Sequence, residues 1–329
     1  MEVSRLEDLP PPPGIINSIR AGFDTIAAHL SAIFLPLMVN LFIWLGPRLR
    51  VDEMFGSFME FAVPIWQERG ISAQDVDRVV AIYERIADGI NMFAFLRTLP
   101  IGIPNLFPVQ LASSTPLGSP DIFQASVLTF PLWFLLLTFL GWMGGGLYFF
   151  HVSKIIALDE DMRVGLARAL AQTVLVSSLF SLVLMMIGVP FLIMLALVIQ
   201  LNAVLANLFV LFVFIFSMWV IVPLFFWSHG VFVRNQNVIA SMLSSIQLAR
   251  FTMPTSSIFV LLVFMLAVGL NFLWRIPPGD SWMALVGILG HSFVTTALLA
   301  ASFIYYRDMT AWLQIVVERL RPNQAVKQA

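Results

Sequence analysis

A chain of 329 residues with 59% hydrophobic and only 11% charged side chains has a mean hydropathy of +0.90. Soluble domains carry about 25% charged residues, so this composition defines a polytopic membrane protein. A net charge of −1, from 18 basic and 19 acidic residues, excludes a polycationic surface for nucleic acid, and the absence of cysteine excludes disulfides, thiolate metal sites and a cysteine nucleophile.

The N-terminal stretch, residues 1–13, is polar and proline-rich, which predicts a disordered tail. No apolar run starts before about residue 30, so a cleavable signal peptide is not expected and the first span serves as a signal anchor. "GIINSIRAGFDTIAAHL" follows, with Ile15, Ile19, Phe23, Ile26 and Leu30 on one helical face. A bilayer core about 30 Å thick needs roughly 20 mostly apolar residues per helix. Six stretches qualify: 29–47, 126–150, 171–199, 203–228, 255–274 and 283–305. The run from 171 to 228 divides at the polar "QLNAVLAN", and Pro190 predicts a kink in the earlier of its two helices.

Between the first two spans lies an outer insertion, 48–125. Residues 50–68 read as an amphipathic helix through Met54, Phe55, Phe58, Phe61, Ala62 and Ile65. Residues 72–98 read as a second, capped by Ser72 with Asp75 three residues on, and lined by Val76, Val79, Tyr83, Ile86, Ile90 and Phe93. The proline- and glycine-rich "LPIGIPNLFPVQLASSTPLGSP" excludes regular structure after them. Such a narrow insertion is expected to rest its apolar faces on the outer ends of the spans or in the outer leaflet.

Two further amphipathic segments precede odd-numbered spans. "DEDMRVGLARALA" starts with Asp159, Glu160 and Asp161, which suits a helix N-terminus. "NQNVIASMLSSIQLARF", residues 235–251, places Val238, Ile239, Met242, Leu243, Ile246 and Ala249 on one face and Ser241, Ser244, Ser245 and Gln247 on the other. It reads as a poor span and a good interfacial helix. The expected fold is therefore all-α: a six-span transmembrane helical bundle with cytoplasmic interfacial helices and an outer helical insertion. Residues 14–310 form the membrane domain, divisible into helix-plus-hairpin units at 14–158, 159–234 and 235–310. A partly helical cytoplasmic tail, 311–329, follows. Basic residues gather on the side of the termini, while the short outer loops hold only Arg275. The positive-inside rule then places both termini in the cytoplasm of a cell whose plasma membrane the chain crosses. Trp44, Trp274 and Trp282 fall at outer span ends, where indole rings favour the interface.

The layout of residues 14–310, and segments such as "IRAGFDTIAAHLSAIFLPLMVNLFIWL", resemble bacterial six-span proteins related to the membrane domain carried by some glycerophosphodiester phosphodiesterases. The resemblance implies a fold and transfers no catalytic residue.

No Asp or Glu lies inside a span, which counts against a proton-coupled transporter. The remaining candidates are polar. Asn40 and Asn271 occupy related positions in "VNLFIWLGPR" and "LNFLWRIPP", where they either pair with each other or bond to backbone or interfacial water. His291 lies inside the last span. His29, His151 and His229 sit at cytoplasmic span ends, where headgroup-level side chains outweigh a metal site. Gly141 and Gly145 in "GWMGGGLYFFH" have the small-xxx-small spacing of close helix packing, not that of a phosphate loop. The serines at 177, 178, 181, 256 and 257 lack a companion base. No cofactor is expected. The functional expectation is a non-enzymatic component that binds membrane lipids or other membrane proteins. The alternatives are a permease or lipid-handling transporter whose uncharged path uses Asn40, Asn271 and the serines, and a membrane-embedded enzyme using histidine.

Overall fold

The computed structural model describes residues 11–107, 114–157 and 165–320. The expected N-terminal tail up to residue 10, the acidic start at Asp159 to Asp161 and the tail beyond residue 320 lie outside the described residues. The helices are α1 (Ile15–Ala28), α2 (Phe34–Leu45), α3 (Asp52–Glu68), α4 (Ala73–Gly89), α5 (Phe130–Ile156), α6 (Leu166–Leu201), α7 (Ala203–Arg234), α8 (Val238–Trp274) and α9 (Ala284–Leu320). Two three-residue strands, β1 (Arg48–Arg50) and β2 (Ile122–Gln124), pair in parallel, an element the sequence pattern did not reveal.

The protein is an all-α, multi-pass membrane bundle. Helices α5, α6, α8 and α9 are each long and apolar enough to cross a membrane, and two bent pairs bring the number of candidate spans to six. One bent pair is α1 with Leu30–Leu45, turned by 94°. Leu30–Leu45, a 3-10 turn followed by α2, reaches only about 26 Å, short of a core about 30 Å thick. The other bend, of 40°, divides α7 between Ser217 and Trp219, one turn before Pro223, whose missing N–H frees the carbonyl of Trp219. Helix α6 instead runs on through Pro190. Asn202 separates α6 from α7 as expected: its Oδ1 accepts from the Val204 and Leu205 N–H groups and starts the second helix.

The chain divides into two compact units. The first contains residues 11–30, 149–157, 165–267 and 296–320. Here α1 packs through Ser18, Gly22 and Ile26, and a Cβ at Gly22 would come within 2.5 Å of the Ala297 carbonyl and the Ala301 nitrogen. Residues 238–251 form the first part of α8, which breaks at Thr252 (φ −124°, ψ 20°), two residues before Pro254. Its buried face is mixed, made of Val238, Ser241, Ser245, Leu248 and Ala249, whereas Ile239, Leu243 and Ile246 are exposed together with Gln247.

The second unit contains residues 31–107, 114–148 and 268–295. Ser72 caps α4 through the Asp75 N–H, as its spacing predicts. The helix stops at Gly89, and a 3-10 turn, Met92–Leu96, replaces the predicted continuation to residue 98. Asn91 causes the change, because its Oδ1 accepts from the Phe93 N–H and from the Leu49 N–H of β1. In α3 the buried residues are Met59 and Ala62, while Phe58 and Phe61 remain exposed.

Candidate functional site

The polar candidates of the second unit meet around a segment that is not helical. Residues 97–107, "RTLPIGIPNLF", contain Pro100, Gly102 and Pro104, so no helix or sheet ladder can run through them. Even so, Ile101, Ile103, Asn105 and Leu106 are buried, Ile101 and Leu106 completely. The segment lies against α5, and glycines make the approach possible. A Cβ at Gly141 would stand 2.7 Å from the Leu96 carbonyl, and one at Gly145 would stand 2.6 Å from the Gly102 Cα. These glycines flank Met143, the middle residue of α5. The small-residue stripe thus receives extended backbone, not the second helix its spacing predicts. Irregular backbone at membrane depth survives only where protein covers it and supplies its hydrogen bonds.

Asn40 supplies two of them. It is fully buried on α2, and its Nδ2 donates to the Pro36 and Pro104 carbonyls at 2.8 and 3.0 Å. Its Oδ1 accepts from the Leu106 N–H at 2.7 Å. The Leu106 carbonyl accepts from Arg275 Nε at 2.8 Å. Thr98 Oγ1 donates to the Ile101 carbonyl, and Asn105 closes a small ring with both backbone groups of Phe107. Beneath Leu106, Trp44 packs with Ala284 and Ile288 and donates its indole N–H to the Gly279 carbonyl. Trp44 is 1% exposed, so it is a core residue, unlike Trp282, which is 56% exposed and fits the interface expected for both.

Asn271 does not pair with Asn40. Its Oδ1 lies 2.7 Å from Nδ1 of His291, which is buried on α9. Because a carbonyl oxygen only accepts, Nδ1 carries the proton, and Nε2 of the neutral ring presents its lone pair. Nε2 has no partner in hydrogen-bond geometry, although the Pro104 carbonyl lies close to the ring. The charges of Arg97 and Arg275 both act on this ring. Burial first, and the Arg97 charge second, hold the Arg275 pKa below the ordinary guanidinium range. Among the described residues neither arginine has a carboxylate partner. In the sequence, Arg97 is one of several arginines of the long outer insertion, whereas Arg275 is the lone basic residue of the short outer loops. That isolation was the available signal.

The other histidines belong to the first unit. His29 and His151 are exposed, as expected of headgroup-level side chains. His229 is 3% exposed and surrounded by Phe225, Phe226, Phe303 and Tyr306, because α7 continues past it to Arg234. Ser302 Oγ donates to the Leu299 carbonyl and so accepts from His229 Nε2 at 2.8 Å. Among the described residues no group of three or more His, Asp or Glu side chains is placed to hold a metal ion. The serines differ: Ser181 Oγ donates to the Ser177 carbonyl, whereas Ser177 Oγ is buried with no hydrogen-bond partner among the described residues. Tyr305, Ser256, Thr252 and the Leu248 carbonyl form one directed hydrogen-bond chain. Asn40 and Asn271 therefore lie in one unit, and the serines once grouped with them lie in the other.

Compared with family models, with curated proteins and with solved structures, the chain matches none of them.

Proposed function

We propose that this multi-pass membrane protein is a non-enzymatic lipid-binding component of the plasma membrane, with both termini cytoplasmic and the insertion on the outer side. The observation that carries the lipid reading is the buried segment 97–107, whose Leu106 carbonyl holds Arg275, a cation with no carboxylate partner among the described residues. Cationic side chains at the edge of a bilayer are matched most simply by anionic headgroups. The exposed Ile239, Leu243 and Ile246 within residues 238–251 support a helix lying in the interface. The excess of basic residues on the side of the termini supports the orientation. Asn40 fits a permeation path less well, because both its amide hydrogens and its oxygen are already engaged. Kinship with the membrane domain of glycerophosphodiester phosphodiesterases belongs to the same proposal and rests on the layout of residues 14–310 and on segments such as 19–45.

The test is gentle detergent extraction followed by mass spectrometry of whatever stays bound. Phospholipid retained through size exclusion, in amounts comparable to the protein, is the expected result. Recovery of a stoichiometric protein partner with no retained lipid overturns the lipid reading in favour of a partner-binding role.

A further inference from the structure

Helices α5, α7 and α9 of the first unit come together where their apolar runs end. Phe149, Phe232 and Phe303, one from each helix, meet with ring centroids 5.5, 5.6 and 6.3 Å apart. Over the next two turns the facing side chains are small, Ser153 and Ala157 along α5 and just past it and Ala311 on α9, and a half-open cavity of about 250 Å³ is left between the helices. Two cations line it. Arg307 on α9 is held in place: its Nη1 donates to the Ile156 carbonyl at the end of α5, 3.2 Å away, and its Nε donates to Asp308 at 2.8 Å. Its side chain stays 29% exposed. Arg234 lies in the last turn of α7, and among the described residues its guanidinium makes no hydrogen bond or ion pair. The hydroxyls of Ser153 and Thr310 donate to the Phe150 and Tyr306 carbonyls of their own helices. The side-chain donors left for an occupant are therefore guanidinium N–H groups and the Gln314 amide. Among the described residues no carboxylate lines the cavity, whereas Ile156, Phe232 and Val233 give it apolar walls.

We propose that this cavity holds the phosphate of an anionic phospholipid from the leaflet on the side of the termini, with Arg234 as its main partner and Arg307 as the second. A guanidinium fork matches two phosphate oxygens, and the apolar walls suit the glycerol carbons that join a lipid phosphate to its chains. A free phosphate ion gains nothing from those walls. The volume lies below the roughly 300–1,000 Å³ of pockets that enclose a whole small molecule, so it suits a headgroup whose acyl chains stay outside, along the apolar helices. The orientation proposed above assigns this end to the cytoplasmic leaflet, which carries the anionic lipid. The assignment rests on the lipid-binding reading and gives it a place in the first unit.

The experiment uses the full chain, stripped of lipid in mild detergent and titrated with short-chain phosphatidylglycerol or phosphatidylcholine, with binding followed by native mass spectrometry. With two cations and no facing carboxylate, phosphatidylglycerol is expected to bind about fivefold or more tightly than phosphatidylcholine. Arg234→Gln removes no side-chain bond, so the variant should melt like the parent while its affinity for phosphatidylglycerol falls by about fivefold or more. Arg234→Lys keeps most of that affinity. Arg250→Gln removes an exposed charge outside the cavity and should leave the affinity within about twofold of the parent. Equal losses in the Arg234 and Arg250 variants overturn the site, because net charge and not the cavity is then the attraction; so does an unchanged affinity in Arg234→Gln. Displacement of bound phosphatidylglycerol by millimolar inorganic phosphate identifies a soluble phosphate as the occupant and overturns the lipid assignment. Equal binding of both lipids by the parent protein removes the anionic headgroup and leaves general lipid binding standing. No binding of either lipid removes both.

Discussion

At the scale of single residues, Asn40 shows how one amide supports non-helical backbone inside a membrane bundle. Its three hydrogen bonds account for both of its donors and for its acceptor. Asn40→Leu keeps the branching at Cγ but strands the Leu106 N–H and the Pro104 carbonyl, at a cost of about 1–3 kcal/mol for each buried group left unsatisfied. We expect a clear fall in the thermal midpoint of the detergent-solubilised protein, measured by the unfolding of its own tryptophans. An unchanged midpoint would mean that water or lipid replaces the amide. The importance of Asn40 was legible from its polarity within an apolar span, but its partner was not. Leu106 lies 66 residues away in sequence, and periodicity carries no information about contacts at that range. Residues 238–251 illustrate a related limit: the spacing places Val238 and Ala249 on one face with Ile239 and Leu243, yet the first two are buried and the others exposed, because beside lipid an aliphatic side chain has no need to turn inward.

Among elements, helix positions were the most readable feature, since uninterrupted apolar runs and caps such as Asn202 and Ser72 act locally. The seat of residues 97–107 was not readable. Their prolines and glycine exclude regular structure, and loops usually run over the surface. The glycines of α5 were noticed, yet a small-xxx-small spacing fits a helix and an extended chain equally well. The distinction is testable. In Gly145→Val the new side chain meets the Gly102 and Ile101 backbone, which has no rotamer with which to move aside. Hydrogen exchange across residues 97–107 should then rise by about tenfold or more, as a locally packed segment is released. Gly56→Ala on α3, where a Cβ meets nothing within 4 Å, is the control and should leave exchange unchanged. If both variants exchange alike, the segment is not held by the glycine face.

For the molecule as a whole, the absence of cysteine makes orientation directly measurable, because single substitutions need no prior removal of native thiols. A membrane-impermeant maleimide should label Glu60→Cys in intact cells and label Gln247→Cys only after permeabilisation. Both side chains are exposed, so accessibility does not confound the result. Labelling of position 60 only from the cytoplasmic side would reverse the orientation. The seated segment also has a consequence for the order of assembly. Residues 97–107 are synthesised before every group that receives them except those of α2, Asn40 and Trp44 among them. The groove they fill does not exist until Gly141 and Gly145 have been made, and the Leu106 carbonyl waits for Arg275. During synthesis the segment is therefore a guest without a host, held only at its later end, Pro104 to Leu106, by α2. A chain that stops short of residue 275 contains the whole insertion and still lacks the last bond that closes it.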